Sequence, residues 1–523
     1  MKGKFFIIGA DVGTTSAKVI VFEEKGNPVA EGRASYPLLR PQTGWVEQKA
    51  EWWWQAFQTA TKEALKQGKI NKNKIVAIGI THQRITTVPV DETMEPVRNA
   101  ILWNDMRCSR QNMWAREKIG VKRIYSRTGN FPSIWTVYKA MWLKKNEPET
   151  YRKTYKFLLV QDYIIYKLTG RLVTTSSSAI QTGCLDVTSP TKWAEDILDL
   201  FDIPASLWVD GILPGGELVG KITKRSSSLT GLPQGLPVVT TAGDQPCGTL
   251  GAGVNQQGML AINGGTSCSL EVYVKELKLD PYLNYFIEIS PTGDYLLEDS
   301  IWSGGSALMS WFKDNFAREE VKEAQREGEH LWDKLYNLAT QAPPGNKGLM
   351  LIPYYSGASS PYRDLMARGV IFGFLLDHGK SHLVRAILEG LAFESRRKKE
   401  FMEKGSGVPI TRVRMYGGSA KSPVWNQIFA DVLGVKVCTL KTPETTALGA
   451  AICAAIGGKV YSSFQEAVKK MVHVDRTFLP DFGKREIYDN LYSQVYSKFY
   501  DRVQDLVHTA SEIIEQHKKN LED

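Results

Sequence analysis

The sequence predicts an α/β protein of two structurally related domains, with a cleft between them and a helix at the C-terminal end. Three observations carry this expectation. Short β-type runs alternate with helical stretches along most of the chain. A strand, a Gly/Thr/Ser turn and a second strand occur near residue 11 and again near residue 264, close to the middle of the 523 residues. The last segment repeats apolar residues at spacings of three and four.

The first element is the apolar run Phe5-Phe6-Ile7-Ile8. It enters Asp11-Val12-Gly13-Thr14-Thr15-Ser16 and leaves through Val19-Ile20-Val21-Phe22. Such a hairpin turn presents backbone N–H groups and hydroxyls to one point, with a carboxylate beside them. That set can hold a phosphate and its magnesium ion. Taken alone, a Gly-rich turn after a strand is more often only a turn, and its meaning depends on a partner. Trp52-Trp53-Trp54 to Leu65 reads as a helix whose tryptophans pack in the core. Ile75 to Ile80 and Leu236 to Thr241 read as strands.

Asp244, in Ala242-Gly243-Asp244-Gln245, follows the second of these strands. An Asp at the C-terminal end of a strand in an α/β sheet sits where ligands bind. It equally suits a helix N-cap. Gly248 to Gly258 is rich in Gly and Asn and reads as the linker between domains 1–253 and 254–523. The second domain opens with Met259 to Asn263, Gly264-Gly265-Thr266-Ser267 and Ser269 to Val274, again strand, turn and strand. The repeat is architectural, without a convincing residue-level match. A third turn, Gly417-Gly418-Ser419, follows Val413 to Tyr416 and runs into Pro423-Val424-Trp425, a helix start. Its small residues let backbone approach a flat base and ribose. At the end, Tyr488, Tyr492, Tyr496, Phe499, Val503, Leu506 and Val507 mark one face of a long helix. That face is expected to pack on a domain or a second subunit, so a homodimer is among the expectations. Glu512 to Asp523 is charged and expected to fray.

Composition narrows the function. Apolar residues make up 43% and charged residues 23%, as in a soluble globular protein. No window of about 18 consecutive apolar residues occurs, so a membrane partner is not expected. Met1-Lys2-Gly3-Lys4 is basic, but the apolar run after it stops at Asp11, too short for a secretory leader. Six cysteines lie scattered without C-x-x-C spacing, which suggests reduced thiols in a cytoplasmic protein. No metal cluster of His and Cys is expected. The net charge of +9 is spread along the chain, and the run Arg396-Arg397-Lys398-Lys399 reads as a solvated helix face. No nucleic-acid partner is needed; an anionic small ligand such as a nucleotide suits the sign.

Three Gly-rich turns at the starts of separate units are hard to dismiss as bland. Two hairpins facing each other across a cleft can enclose the phosphates of a nucleotide. With such loops on both sides, Asp244 reads better as a general base than as a cap.

Here the chain resembles the FGGY family of carbohydrate kinases, from Phe6 to about Val460. Asp11 to Ser16 is similar to that family's first phosphate hairpin. Trp45-Val46-Glu47-Gln48, Trp103-Asn104-Asp105, Lys139 to Leu143 ahead of Asn146 to Glu149, Ala242 to Gln245, Arg385-Ala386 with Glu389-Gly390, and Gly417 to Gln427 fall in family order. The resemblance implies two actin-like, ribonuclease H-like domains and transfer of phosphate from ATP to a small-molecule sugar, with ATP and Mg²⁺ as cofactors. It implies that Asp244 is the general base. Asp11 would organise magnesium, with Asp244 as a second candidate ligand, and Gly13, Thr14, Thr15 and Ser16 would meet the transferred phosphate. Gly265 and Thr266 would form the second phosphate turn. Gly305, Ser306, Gly418, Ser419 and Ser422 would lie along the adenosine. His82, Gln83, Arg84, Trp103, Asp105, Asp244 and Gln245 would line the sugar pocket.

The acceptor is read from Thr81 to Thr87. That segment is partly similar to glycerol kinases, in which a Glu binds glycerol where Ile85 stands here. Those enzymes also carry a Tyr where Ile134 stands. Trp103 to Asp105 and Lys139 to Glu149 look more like xylulose kinases, although the family's Met-His-Gly near residues 82–84 is absent. The expectation is a ketopentose, xylulose first, with Arg84 and Asp105 as a charged pair contacting it; glycerol, ribulose, erythritol and gluconate are alternatives. A filament- or chaperone-type actin-like ATPase and a catalytically dead sugar sensor stay open as other classes; the presence of both Asp11 and Asp244 counts against the second.

Overall fold

The computed structural model describes residues 5–522; the basic Met1 to Lys4 and the final Asp523 lie outside them. Phe6–Val12 and Ser16–Glu23 form the expected antiparallel hairpin. They sit in a six-stranded sheet ordered Leu218–Lys221, Pro237–Val239, Ile75–His82, Phe6–Val12, Ser16–Glu23, Pro28–Ser35. Ile75–His82 runs parallel to Phe6–Val12, and Pro237–Val239 runs parallel to Ile75–His82. Ile7, Ile8, Ala10 and Val12 are all fully buried, on both faces of the strand. A strand covered on both sides reads as a continuous apolar run rather than an alternating one. Helix Ala50–Gln67 covers one face with Trp53, Phe57, Ala60 and Ala64, one side of a helical period.

The second sheet repeats this plan. Met259–Gly264 pairs antiparallel with Cys268–Val274 and parallel with Arg412–Tyr416, which pairs parallel with Lys436–Leu440. Phe286–Ile289 and Tyr295–Ile301 extend it beyond the hairpin, and Val474–Phe478 closes the other edge. Helix Lys380–Ser406 packs against this sheet and against helix Pro423–Leu433.

The chain between the hairpins differs from the sequence reading. Asp244–Gly251 is a helix, so Gly248 to Gly251 are helical and the connection is shorter than the linker expected. The reason lies in residues far away. Helix Thr445–Gly457 returns from the second half to pack on Phe6–Val12, Ile75–His82 and Asp244–Gly251. A Cβ at Gly449 would lie 1.9 Å from the Cys247 carbonyl oxygen, so the two helices touch backbone to backbone.

Two further expectations change. Arg397, Lys398 and Lys399 are buried rather than solvated. The Lys398 ammonium donates to Asp299 at 2.6 Å, and Arg397 donates to the Tyr496 carbonyl at 3.0 Å. The C-terminal helix is interrupted by a π turn at Tyr492–Tyr496, between Phe482–Leu491 and Ser497–Glu522. The extra residue of that turn shifts the buried register, so Tyr500 joins Tyr488, Tyr492 and Tyr496 in the core while Leu506 is exposed. Phe393 of the long helix packs on Tyr488, Tyr492 and Tyr496. The face therefore covers the chain's own second half. The helix runs to Glu522.

Candidate active site

The C-terminal ends of three parallel strands bring Asp11, His82 and Asp244 to one edge of the first sheet. Asp11 pairs with Thr81, and His82 bridges to Gly243. Gly243, not Asp244, takes the N-cap position of the following helix. Asp244 is left on the cleft side, with its side chain 37% exposed. Asp11 is half-buried, and its Oδ1 is shielded without a hydrogen-bond partner. Burial first, and then the charge of Asp244, push the Asp11 carboxyl up to about 7. Burial also raises Asp244, against the pull of the Arg84 guanidinium.

The first turn is held from several sides. The Gly13 N–H donates to the Ser16 carbonyl at 3.0 Å, and the Tyr36 hydroxyl donates to the Gly13 carbonyl at 2.5 Å. Gln48 donates to the Thr14 carbonyl at 2.7 Å, the Trp103 indole to the Thr14 hydroxyl at 3.0 Å, and Arg33 to the Ser16 hydroxyl at 3.1 Å. Lys18, opposite Asp11 in the ladder, pairs with Glu444 at 2.6 Å. Sequence reading passed over Lys18. Its signal was available: in a hairpin this tight, the residue two beyond Ser16 returns alongside Asp11.

The structure brings together the three turns of the second half. The Gly305 N–H donates to the Thr266 carbonyl at 3.1 Å, and the Ser306 N–H to the Gly265 carbonyl at 2.7 Å. A Cβ at Gly305 would lie 2.0 Å from the Gly265 oxygen, so only glycine permits the approach. Gly264 lies against Ser419, and Gly417 against Asn263. Ser422 caps helix Pro423–Leu433 by accepting the Trp425 N–H at 3.2 Å. A cavity of about 200 Å³ borders this turn, lined by Gly417, Ala420, Lys421 and Asn426 among others. The Asn263 amide donates to Gln245 at 3.1 Å, which ties the second hairpin to the Asp244 segment.

Between the halves lies a cleft of about 320 Å³, with Thr14 on one side, Ser267 on the other and Asp244 and Gln245 between them. Trp103, 41% exposed, and Trp135, Phe286 and Trp302 form aromatic walls. Ile85 and Ile134 line it as well. Ile85 is held by its carbonyl, which accepts from Thr136 at 3.1 Å and Lys139 at 2.8 Å. Arg84 reaches the cleft from the first half.

Three residues expected in the lining are elsewhere. Asp105 is fully buried; its Oδ2 accepts the Val46 N–H at 2.6 Å and its Oδ1 accepts from Arg107 at 2.8 Å. It makes no pair with Arg84. The nearby Arg107, which also pairs with Glu47, claims it first. His82 is fully buried and is pushed down to about 3 by burial and by Arg84, so its ring is neutral. Gln83 is buried and donates to Gln48 at 3.1 Å. The partner of Arg84 is Glu298, bound bidentately at 2.7 and 2.8 Å. Glu298 sits in an ordinary-looking strand, 214 residues away in sequence, and no local pattern marks it.

A sequence model described as "FGGY family of carbohydrate kinases, N-terminal domain" matches residues 6–251, and one for the C-terminal domain matches residues 260–458. The chain is 29% identical over 489 residues to the xylulose kinase of Bacillus subtilis, covering 93% of this chain and 95% of that one. It is 32% identical over 494 residues to a glycerol kinase of Saccharolobus islandicus, covering 92% and 93%. The crystal structure of gluconate kinase from Lactobacillus acidophilus matches it with a TM-score of 0.87 at 25% identity, over 96% of this chain and 98% of that one. The chain belongs to the FGGY family of carbohydrate kinases and is a sugar kinase.

Proposed function

We propose that the chain transfers the γ-phosphate of ATP to a hydroxyl of a ketopentose, xylulose first, with Asp244 as general base. One observation carries this reading: Asp244 is a partly open carboxylate on the cleft floor, between a hairpin of each half. Phosphoryl transfer needs in-line placement and charge neutralisation more than covalent help. Asp244 would accept the acceptor's proton as transfer proceeds. Arg84, 3.3 Å from Asp244 Oδ1, orients that carboxylate and leaves Oδ2 for the hydroxyl. The turns at Gly13 to Ser16 and Gly265 to Ser267 would offer N–H groups and hydroxyls to the phosphates.

The residues present fit magnesium. Asp11 Oδ1 is shielded and has no partner, and the charge of Asp244 acts on it. Among the described residues no group of three or more His, Cys, Asp or Glu forms a metal cage. Magnesium commonly takes one or two carboxylates together with phosphate oxygens, so Asp11, with Asp244 nearby, is a sufficient protein share. When bound, the ion would neutralise charge on the transferred phosphate.

Support for a ketopentose comes from the wall of the cleft. Ile85 and Ile134 are apolar where the resemblance to glycerol kinases calls for a Glu and a Tyr. Ser and Gln side chains with aromatic faces suit a longer polyhydroxylated chain. Similarity to a xylulose kinase agrees with this. A coupled ATP-consumption screen over ketopentoses, polyols, glycerol and gluconate tests the reading. Turnover of xylulose or ribulose is expected. Activity on glycerol alone would refute the ketopentose assignment, and ATP turnover indifferent to every acceptor would refute the kinase assignment.

A further inference from the structure

Arg84 is fully engaged at the acceptor end of the cleft. Its Nη1 and Nη2 donate to the two oxygens of Glu298 at 2.7 and 2.8 Å. Nη1 also lies 3.3 Å from Glu288 Oε1, and Nε lies 3.3 Å from Asp244 Oδ1. The two glutamates belong to adjacent strands of the second sheet, so they reach across the cleft to an arginine of the first half. Glu271 stands directly opposite Glu298 in the ladder on its other side. Glu288 pairs with Leu296, two residues before Glu298, which puts it diagonal to Glu298 on the same face. One face of the second sheet therefore carries Glu271, Glu298 and Glu288 in a row, all buried, against a single cation.

Among the described lining residues of the cleft, Arg84 is the one cation. Its planar fork is the group that would recognise a carboxylate on a ligand. That fork is already filled by the protein's own carboxylate. A ligand carboxylate would have to displace Glu298 and leave it buried without a partner.

We propose that Glu298 and Glu288 set the charge class of the acceptor: by occupying Arg84 they leave the pocket no free cation, so it takes an uncharged ketose or polyol and rejects a sugar acid. The inference rests on the kinase reading above and names the residues that exclude acids from its acceptors. It does not depend on every glutamate being ionised. Burial and a neighbouring carboxylate hold Glu271 and Glu288 well above the usual range. With both neutral, Glu298 still occupies both Nη atoms of Arg84. The phosphates of the donor add further negative charge, so an acid acceptor meets like charge from the cleft floor and from the donor.

The test is kcat/KM on acceptors matched in chain length, such as D-xylulose with D-xylonate, D-ribulose with D-ribonate, and sorbitol with D-gluconate. The acid of each pair is expected to be poorer by about 100-fold or more, the scale of a buried charge left unpaired. An acid within about tenfold of its neutral counterpart overturns the inference while leaving the kinase reading intact. Inactivity on both classes removes the ketopentose reading above, and this inference falls with it. Glu298→Gln removes the opposing charge and turns one of the two acceptor oxygens into an amide nitrogen, so one Nη atom loses its partner, and the ratio of acid to neutral turnover should rise about tenfold. A folded Glu298→Gln protein with an unchanged ratio also overturns the inference. Should that variant fail to fold, Glu288→Gln is read in the same way, with a smaller rise.

Discussion

The two halves of the molecule share one plan and divide the chemistry unequally. In each, a strand runs antiparallel to the next through a Gly/Thr/Ser turn and parallel to a later strand on its other side. Aligning the two sequences from the incoming strands sets Asp11 against Asn263, Gly13 against Gly265 and Thr14 against Thr266. At the first position of this frame, one half has a carboxylate and the other an amide. The amide is satisfied, because Asn263 donates to Gln245. The Asp11 Oδ1 has no protein partner. Lys18 stands opposite Asp11, whereas Ser269 stands opposite Asn263. The difference teaches that, if both turns hold phosphate as proposed, only the first of the two cradles carries a carboxylate. The second is a neutral cradle whose carbonyls are tied down by Gly305 and Ser306.

The strongest way to break this comparison is to remove Asp244, the base proposed for the first half. Asp244→Asn should lower sugar phosphorylation by about 100- to 10,000-fold. ATP binding, measured by calorimetry, should persist because neither cradle is touched. Near-wild-type turnover would sink the assignment of Asp244. Next in size is Asp11→Asn, which gives the first cradle the amide of the second. Turnover should fall by about 100- to 1,000-fold. The same variant reports on stability. Folded Asp11 holds its proton up to about pH 7, against an ordinary value of 3.8. The contribution of the neutral carboxyl is therefore present below the ordinary value and lost as pH rises through the folded value. Asp11→Asn should have a higher Tm than the wild type at pH 8 and a nearly equal one at pH 4. A pH-independent difference would count against the raised value.

Much of this asymmetry is visible in the sequence, because each cradle is contiguous. Strand, turn and strand of the first hairpin lie within Phe6 to Glu23, and burial of its neighbours follows from the apolar runs themselves. Asp244 is legible because it follows a strand end. Residues whose surroundings come from far along the chain are not. Asp105 looks like a pocket residue until Arg107, itself held by Glu47, and the Val46 N–H enclose it. His82 and Gln83 stand at a strand end beside Arg84, yet only Arg84 reaches the cleft. The partners Glu298 and Glu288 come from the other half. The basic run at Arg396 to Lys399 looks solvated because nothing local announces Asp299 or the Tyr496 carbonyl. Local chemistry is written in local sequence; charge pairing across the cleft is written in topology.

The reciprocal exchange, Asn263→Asp, sharpens the comparison at smaller amplitude. It adds a carboxylate to the neutral cradle and breaks the hydrogen bond to Gln245. A second negative charge near the phosphates should raise the KM for ATP about tenfold, with a lesser change in kcat. If the KM is unchanged, the second turn does not meet the phosphates.

The smallest effect is expected where an aromatic wall and the first cradle meet. The Trp103 indole donates to the Thr14 hydroxyl at 3.0 Å, and Trp103 remains 41% exposed to the cleft. The residue thus links acceptor wall and phosphate turn. Trp103→Phe keeps an apolar face and deletes the donor, a loss of about 1 kcal/mol. That corresponds to about fivefold in kcat/KM. A loss confined to the acceptor KM would make Trp103 a wall alone. A matching rise in the KM for ATP is expected if the hydrogen bond sets the Thr14 hydroxyl for phosphate. The second turn has its braces in the backbone N–H groups of Gly305 and Ser306, and no side-chain substitution removes these. The bracing of the first cradle should therefore respond to a single ring atom, whereas the Gly265–Thr266 bracing of the second should weaken only when its backbone is pushed, as by Gly305→Ala.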